Sequence, residues 1–240
     1  QFAPHWFLGG SFAYGQDWLT SSDGATSGSG QNVEAGFSLK HEVGDWLFAL
    51  AGFAGHQDFR TARLIALPGA FSVADAKPLT NGGGLRLRIA RTFGSAHAYL
   101  RPFLDLDGVY AAAPGYTETG AGALDLQVSG HRQLLGVATP MLEIGGRTDL
   151  PDGAVLRSYL QGGVSFLSQG SWQTSARFIG APDRVGGFAS TMPMDRVQGR
   201  IGAGLQLLTR GHFDLRLQYD GTFSQNLTSH GGTLIAAWRF

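Results

Sequence analysis

Apolar and polar residues alternate along almost the whole chain. The period is two rather than 3.6, which predicts strands and hardly any helix. His5 to Tyr14 carries Trp6, Leu8, Phe12 and Tyr14 on one face, and Gln31 to Glu42 sets Val33, Ala35, Phe37 and Leu39 against Asn32, Glu34, Ser38 and Lys40. Asp45 to His56 is apolar on both faces, whereas Gly82 to Thr92 alternates Leu85, Leu87 and Ile89 with Arg86 and Arg88. Ala96 to Tyr110 puts Leu100, Pro102, Leu104 and Leu106 opposite Arg101, Phe103, Asp105 and Asp107. Further strands are predicted over Arg132 to Asp149, Ala154 to Ser168, Ser171 to Phe178, a weaker one near Gly187 to Met194, Arg196 to Thr209, and Gly211 to Ser224. The last strand begins at Gly232 and sets Leu234, Ala236, Trp238 and Phe240 against Thr233, Ala237 and Arg239, with Ile235 as its one departure. Twelve strands result.

Their connections are of two kinds. Tight turns are expected at 42–45, 92–95, 150–153, 180–183 and 209–212, and longer connections at 19–30, 57–80 and 111–131. The two kinds nearly alternate, with Ser168-Gln169-Gly170 short where a long loop is due. Short turns at one end and long loops at the other are the habit of a bacterial outer-membrane barrel. Gly120 to Ser129 reads equally as strand or loop. No Pro/Ser linker interrupts the pattern, so residues 1–240 are expected to form a single up-and-down antiparallel domain. A barrel in lipid tolerates no free edge, so the strand starting near His5 is expected to pair with Gly232 to Phe240.

Alternation alone does not say which face meets water, and a soluble barrel is the inverse arrangement. Two features favour lipid outside. The apolar face is rich in Gly and Ala, which fill a core poorly, and aromatic residues gather near strand ends, as at a membrane interface. The expected girdle and assembly positions are Trp6, Trp172, Tyr219, Trp238 and Phe240. The opposite face carries Arg86, Arg88, Arg101, Asp105, Asp107, Glu143, Arg147, Arg157, Arg177, Arg200, Arg216 and Asp220. These twelve are too many charges for a dry interior, and the expectation is that they line a wet lumen.

Composition agrees. Charged residues make up 15%, against about 25% in a typical soluble domain. No apolar run reaches the 18 or so residues of a transmembrane helix. Net charge is zero, which removes the electrostatic footprint of a nucleic-acid binder. With Cys 0, disulfides, thiolate metal sites and cysteine nucleophiles are excluded. Gln1-Phe2-Ala3-Pro4 has neither a basic nor an apolar leader region, so the chain reads as a mature product or an excised domain.

Candidate chemistry is sparse. Ser129 with His131, and Ser229 with His230, supply the residue types of a serine hydrolase, but strand neighbours point to opposite faces. His56 with Asp58, or Asp105 with Asp107, would need further converging ligands to hold a metal. The latter pair, close to Arg101, reads as part of a neutralised ion network. Gly82-Gly83-Gly84 lacks the Lys-Ser/Thr of a phosphate loop. No cofactor or metal is expected, and catalysis by an outer-membrane hydrolase is the alternative reading, with a passive pore as a third.

Several segments resemble the translocator β-domain of autotransporters, the type V secretion proteins of Gram-negative bacteria. They are 99–102, 117–126, 156–166, 172–182, 202–206 with 217–221, and the terminal Trp238-Arg239-Phe240. The resemblance runs from about Leu39 to Phe240 and implies a twelve-stranded transmembrane barrel in the outer membrane. It implies an upstream covalent passenger exported to the cell surface, and a linker helix in the lumen. It also implies a C-terminal strand read by the barrel-insertion machinery, outer-membrane lipid as the surrounding partner, and a barrel that is not itself an enzyme. A monomer is expected. The residues before His5 are too few for the linker helix.

Overall fold

The computed structural model describes residues 2–182, 184–209 and 213–238. The strands are β1 (Trp6–Thr20), β2 (Thr26–Val43), β3 (Trp46–Leu67), β4 (Ala70–Ala76), β5 (Leu79–Arg91), β6 (Phe93–Gly94), β7 (Tyr99–Ala113) and β8 (Tyr116–Thr117). After a 3₁₀ turn at Gly122–Leu124 come β9 (Leu126–Val128), β10 (His131–Asp149), β11 (Val155–Leu167), β12 (Ser171–Phe178), β13 (Phe188–Pro193), β14 (Val197–Leu208), β15 (Phe213–Phe223) and β16 (Thr228–Trp238). The main antiparallel sheet holds twelve strands. Ten follow the path β1-β2-β3-β5-β7-β10-β11-β14-β15-β16, while β4 pairs with β3 and β6 with β7.

Ten of the twelve strands expected from the alternation form that path. The other two, Ser171–Phe178 and the weak strand near Gly187, leave it and build a second sheet of order β13-β12-β9-β8. Their lengths give the reason. A strand crossing a bilayer needs about 9–11 residues, and β12 and β13 have 8 and 6. The stretch from Gly120 to Ser129 resolves into the 3₁₀ turn and β9. Much of what read as long loop is strand: β1 continues to Thr20, β2 starts at Thr26 and β3 runs to Leu67 before β4 turns back along it. The wall therefore extends well past the second ends of its strands on the long-loop side.

Tight turns close the other end. Gly44 between β2 and β3 has φ +57°, and Gly153 between β10 and β11 has φ +76°, values a side chain would strain. Within the wall one close approach also requires glycine. A Cβ on Gly204 of β14 would run into the ring of Tyr159 on β11, its cross-strand neighbour.

Burial separates this fold from a soluble barrel. Among the described residues the buried apolar side chains are Ala74, Ala76, Ala90, Phe103, Val128, Ala154 and Ala176, and none is an Ile, Leu or Trp. The large apolar side chains instead stand outward: Leu8, Phe12, Leu85, Leu134, Leu160, Leu217 and Leu234 are all at least half exposed. A water-soluble domain buries such residues. Here they form a continuous apolar exterior.

The two edges of the sheet do not meet among the described residues. Among those residues β1 pairs with β2 and β16 with β15, and no pairing joins β1 to β16. Ten strands lie on the continuous path of this sheet, and β4 and β6 bring it to twelve.

Candidate functional site

Register brings opposite charges together on the inner face. Arg86 on β5 lies opposite Asp107 on β7, and Arg88 opposite Asp105. Arg86 donates Nε to Asp107 Oδ1 at 2.6 Å and Nη2 to Oδ2 at 3.1 Å. Arg88 binds Asp105 in the same two-pronged way, both bonds 2.7 Å, and its guanidinium lies 4.3 Å from the ring centre of Phe103. On the other side of β7, Arg101 faces Glu143 of β10 and donates to it at 3.0 Å. Tyr99 adds a hydroxyl donor to the same carboxylate oxygen at 2.8 Å. The two aspartates thus take their arginines from β5 rather than from Arg101, because β5 is the strand whose inner-face register meets them.

A cavity of about 1070 Å³ opens onto this face. Its lining comes from β2, β5, β7, β10, β11, β14 and β15, so the sheet curls around it. Arg86, Arg88, Arg101, Asp105, Asp107, Glu143, Arg147, Arg157, Arg200, Arg216 and Asp220 all reach it. Arg177 does not: it sits on β12 in the second sheet and donates to Gln127 Oε1 at 2.7 Å. Lys40 on β2 joins the lining. Its place on the polar side of an alternating strand was the signal that could have added it. Four glutamines, Gln161, Gln198, Gln206 and Gln218, complete the polar wall on β11, β14 and β15.

Aromatic residues mark the outer rims. At the tight-turn end Trp6 stacks on His41 with ring centres 4.0 Å apart, Trp46 lies beside Phe48, and Phe213 meets Trp238 at 4.8 Å. Arg91 lies 5.3 Å from the Trp46 ring and 4.8 Å from Phe93, a charged head over amphipathic rings as at a headgroup boundary. At the long-loop end Tyr219 bonds His230 at 2.7 Å, and Phe223 packs edge-on to the same imidazole. Phe213 and Phe223 both lie on β15. Ten residues span about 33 Å of strand, or about 25 Å along the normal at a tilt of about 40°, the height of an outer-membrane apolar band. Trp172 lies away from this surface, in the second sheet, its ring edge-on to His131 at 4.7 Å. Phe240 lies outside the described residues.

The second sheet is fastened at the long-loop end. Glu118 is buried at 6% exposure and receives Arg63 Nε at 3.1 Å, Arg63 Nη2, and the Leu126 amide at 2.9 Å. Arg63 also donates to the Leu124 carbonyl at 3.0 Å. The hydrogen bond to Glu118 holds the Arg63 pKa above its ordinary value, and burial raises that of Tyr116. Asp75 and Thr119 form a backbone bridge between β4 and the segment after β8. This anchoring was not read from the sequence. The available signal was a single acidic residue, Glu118, in an otherwise small and uncharged stretch from Gly115 to Leu124.

A second tie joins the β13–β14 connection to the β15–β16 turn. Asp195 accepts the Asn226 amide at 2.6 Å and its side-chain nitrogen at 2.8 Å. Hydrogen bonds from Ser224, then from Asn226, depress the Asp195 pKa below the usual 3.8. A depressed pKa means the tie is at full strength above the ordinary value and is lost as pH falls through the lower, folded-state value. Acid titration followed by amide exchange should therefore show Asn226 protected at neutral pH and released below the ordinary aspartate range. An Asn226 amide indifferent to that titration, or released well above that range, would contradict the assignment.

The residues with catalytic or metal-binding potential are engaged otherwise. His230 bonds Tyr219 rather than a serine, and His131 packs on Trp172. His56 bonds Asn81 at 2.8 Å and stands 3.4 Å from Asp58. No cluster of three potential metal ligands occurs among the described residues.

The model of the family described as autotransporter beta-domain matches residues 1–220. Comparison with curated protein sequences yields no match. Among solved structures, the translocator domain of autotransporter NalP from Neisseria meningitidis is similar, with a TM-score of 0.76 and 13% identity, covering 100% of this chain and 77% of that one. The beta domain of the Bordetella autotransporter BrkA is similar with a TM-score of 0.64 and 16% identity, covering 98% of this chain and 84% of that one.

Proposed function

The chain belongs to the autotransporter β-domain family, outer-membrane translocator barrels that export a passenger, and we propose that its charged cavity is the hydrated lumen of that translocator. The observation that carries this reading is the inverted burial: large apolar side chains outward and exposed, arginine–carboxylate pairs inward around one cavity. Outward side chains from Leu8 to Leu234 anchor the wall in lipid. The inner charges keep the interior wet, so that an extended polypeptide can pass without adhering to apolar surface. In this reading residues 1–240 act as one domain with the second sheet as its surface-side cap. The barrel works as a monomer, its role is conduction rather than catalysis, and Trp6 and Trp238 sit in the interfacial girdle. Because unpaired strand edges are not tolerated in hydrocarbon, this reading requires β1 and β16 to pair with each other in the membrane and so close the wall.

The reading includes recognition of the last strand by the barrel-insertion machinery. Deleting Phe240 from the full chain should lower the amount of heat-modifiable barrel in outer-membrane fractions. Surface display of an attached passenger, measured by protease shaving of intact cells, should fall in proportion. Protein refolded in detergent should keep near-parental heat resistance, because one interfacial aromatic contributes only about 1–3 kcal/mol. Equal insertion of deletion and parent would sink the recognition role. Undiminished display from a chain whose barrel is absent from the membrane would sink the translocator reading itself.

A further inference from the structure

The inner charges are unevenly distributed. The cavity is lined by eight Lys and Arg side chains but only four Asp and Glu, although the chain as a whole is neutral. Two of the cations have carboxylates just outside the lining: Lys40 bridges Glu42 at 3.0 Å and Arg147 bridges Asp149 at 2.6 Å. Arg86, Arg88 and Arg101 are matched by Asp107, Asp105 and Glu143. What remains is Arg157, Arg200 and Arg216 with Asp220, three cations to one anion, all on β11, β14 and β15.

Those three arginines are poorly neutralised. Among the described residues Arg157 and Arg200 make no hydrogen bond or ion pair to another side chain, and Arg216 reaches Gln218 at 3.0 Å. Register sets them along the wall. Arg157, Gln206 and Arg216 form one cross-strand row, and Arg200 lies six residues from Gln206 on β14, about 20 Å along the strand. Between them lie the row Tyr159, Gly204 and Gln218 and the row Gln161, Gly202 and Asp220. One side of the cavity is therefore ion-paired. The other is a track of three guanidinium groups that bind no carboxylate among the described residues, with glutamines and the single carboxylate of Asp220 between them. Inside a low-dielectric wall, unpaired charges of one sign concentrate counter-ions and repel co-ions, and such arginines give a pore its preference for anions.

We propose that the lumen is selective for small anions, with Arg157, Arg200 and Arg216 forming the anion track. The inference rests on the hydrated-lumen reading above. Its test is the reversal potential of the full chain in a planar lipid bilayer across a potassium chloride gradient. The expected result is a chloride-to-potassium permeability ratio above unity. The triple variant Arg157→Gln, Arg200→Gln, Arg216→Gln should bring that ratio down towards unity, while Arg177→Gln, outside the cavity, should leave it at the parental value. Heat-modifiable mobility checks that each variant is folded. A potassium preference in the parent, or a triple variant that keeps the parental ratio, overturns the anion track alone. Folded, inserted protein that passes no current overturns the hydrated lumen and the track together.

Discussion

Replacing Glu118 with alanine should unfasten the second sheet while the wall stays folded. The substitution removes the counter-charge of Arg63, whose side chain is 26% exposed, and the acceptor for the Leu126 amide. Losing one partner of a buried ion pair costs about 3–5 kcal/mol. The partial exposure of Arg63 lets water take over some of the loss, which brings the figure to about 2–3 kcal/mol. The sheet buries little apolar surface, with Val128 and Ala176 its buried apolar side chains among the described residues, and its other ties are the Asp75–Thr119 bridge and contacts of Ser171 and Trp172 with β10. Limited proteolysis should accordingly cut Glu118→Ala faster than the parent between Gly115 and Gly130, with Leu126 losing amide protection. Glu118→Gln keeps a neutral acceptor and should fall between the two. An alanine variant cleaved at the parental rate would show that the backbone bridge at Asp75 and Thr119, not the carboxylate, fastens this sheet.

That anchor was hard to see in the sequence for a physical reason. Period-two alternation arises where one face of a strand meets lipid and the other water, and it fades where both faces are wet. The wall within the apolar band was therefore legible: Leu85, Leu87 and Ile89 against Arg86 and Arg88, or Leu215, Leu217 and Tyr219 against Arg216, Gln218 and Asp220. Beyond the band, Thr26 to Gly30 pairs with Arg63 to Phe59 through a run of Ser and Gly that reads as loop. β8 and β9 have two and three residues, too short to show a period, and only long-range pairing makes them strands. Ser171 to Phe178 is the strand its alternation predicts, but it belongs to the second sheet rather than to the wall.

Charge pairing shows a similar divide. That Asp105 and Asp107 belong to an ion network followed from their shared face. Which arginines they bind depends on the stagger of β5 against β7, and β7 has a neighbour on each side. Arg101 was the nearest basic residue in the same strand, yet its cross-strand partner is Glu143. Ile235, the misfit of the last strand, stands opposite Arg216 on the inner face, where an apolar neighbour supplies that guanidinium with no hydrogen bond. The departure from pattern was visible in the sequence. Its neighbour was not.

The same network yields an asymmetry that reports on water in the lumen. Arg88→Met should destabilise the wall more than Asp105→Asn, although both remove the same ion pair. The side chain of Asp105 is 6% exposed, whereas those of Arg88 and Arg86 are 36% and 49% exposed. Without Arg88, a buried carboxylate keeps only Arg86 Nη1 at 3.9 Å, and the stacking of the guanidinium on Phe103 is lost. An orphaned buried charge costs about 3–5 kcal/mol. The remaining Arg86 contact and the partial exposure of this site bring the expected loss to about 2–3 kcal/mol. Without the aspartate charge, Arg88 still has an amide oxygen to bind and a wet cavity to turn towards, so the loss should be about 1 kcal/mol. The double variant should be more stable than Arg88→Met alone, because it relieves the stranded carboxylate, and that non-additivity is the mark of a direct pair. Unfolding midpoints of protein refolded into lipid measure all three. Equal losses from the two single variants would mean that an abandoned arginine fares as badly as an abandoned aspartate. A cavity with that property is closed to water, and a polypeptide in transit would meet a dry, charged wall instead of a hydrated one.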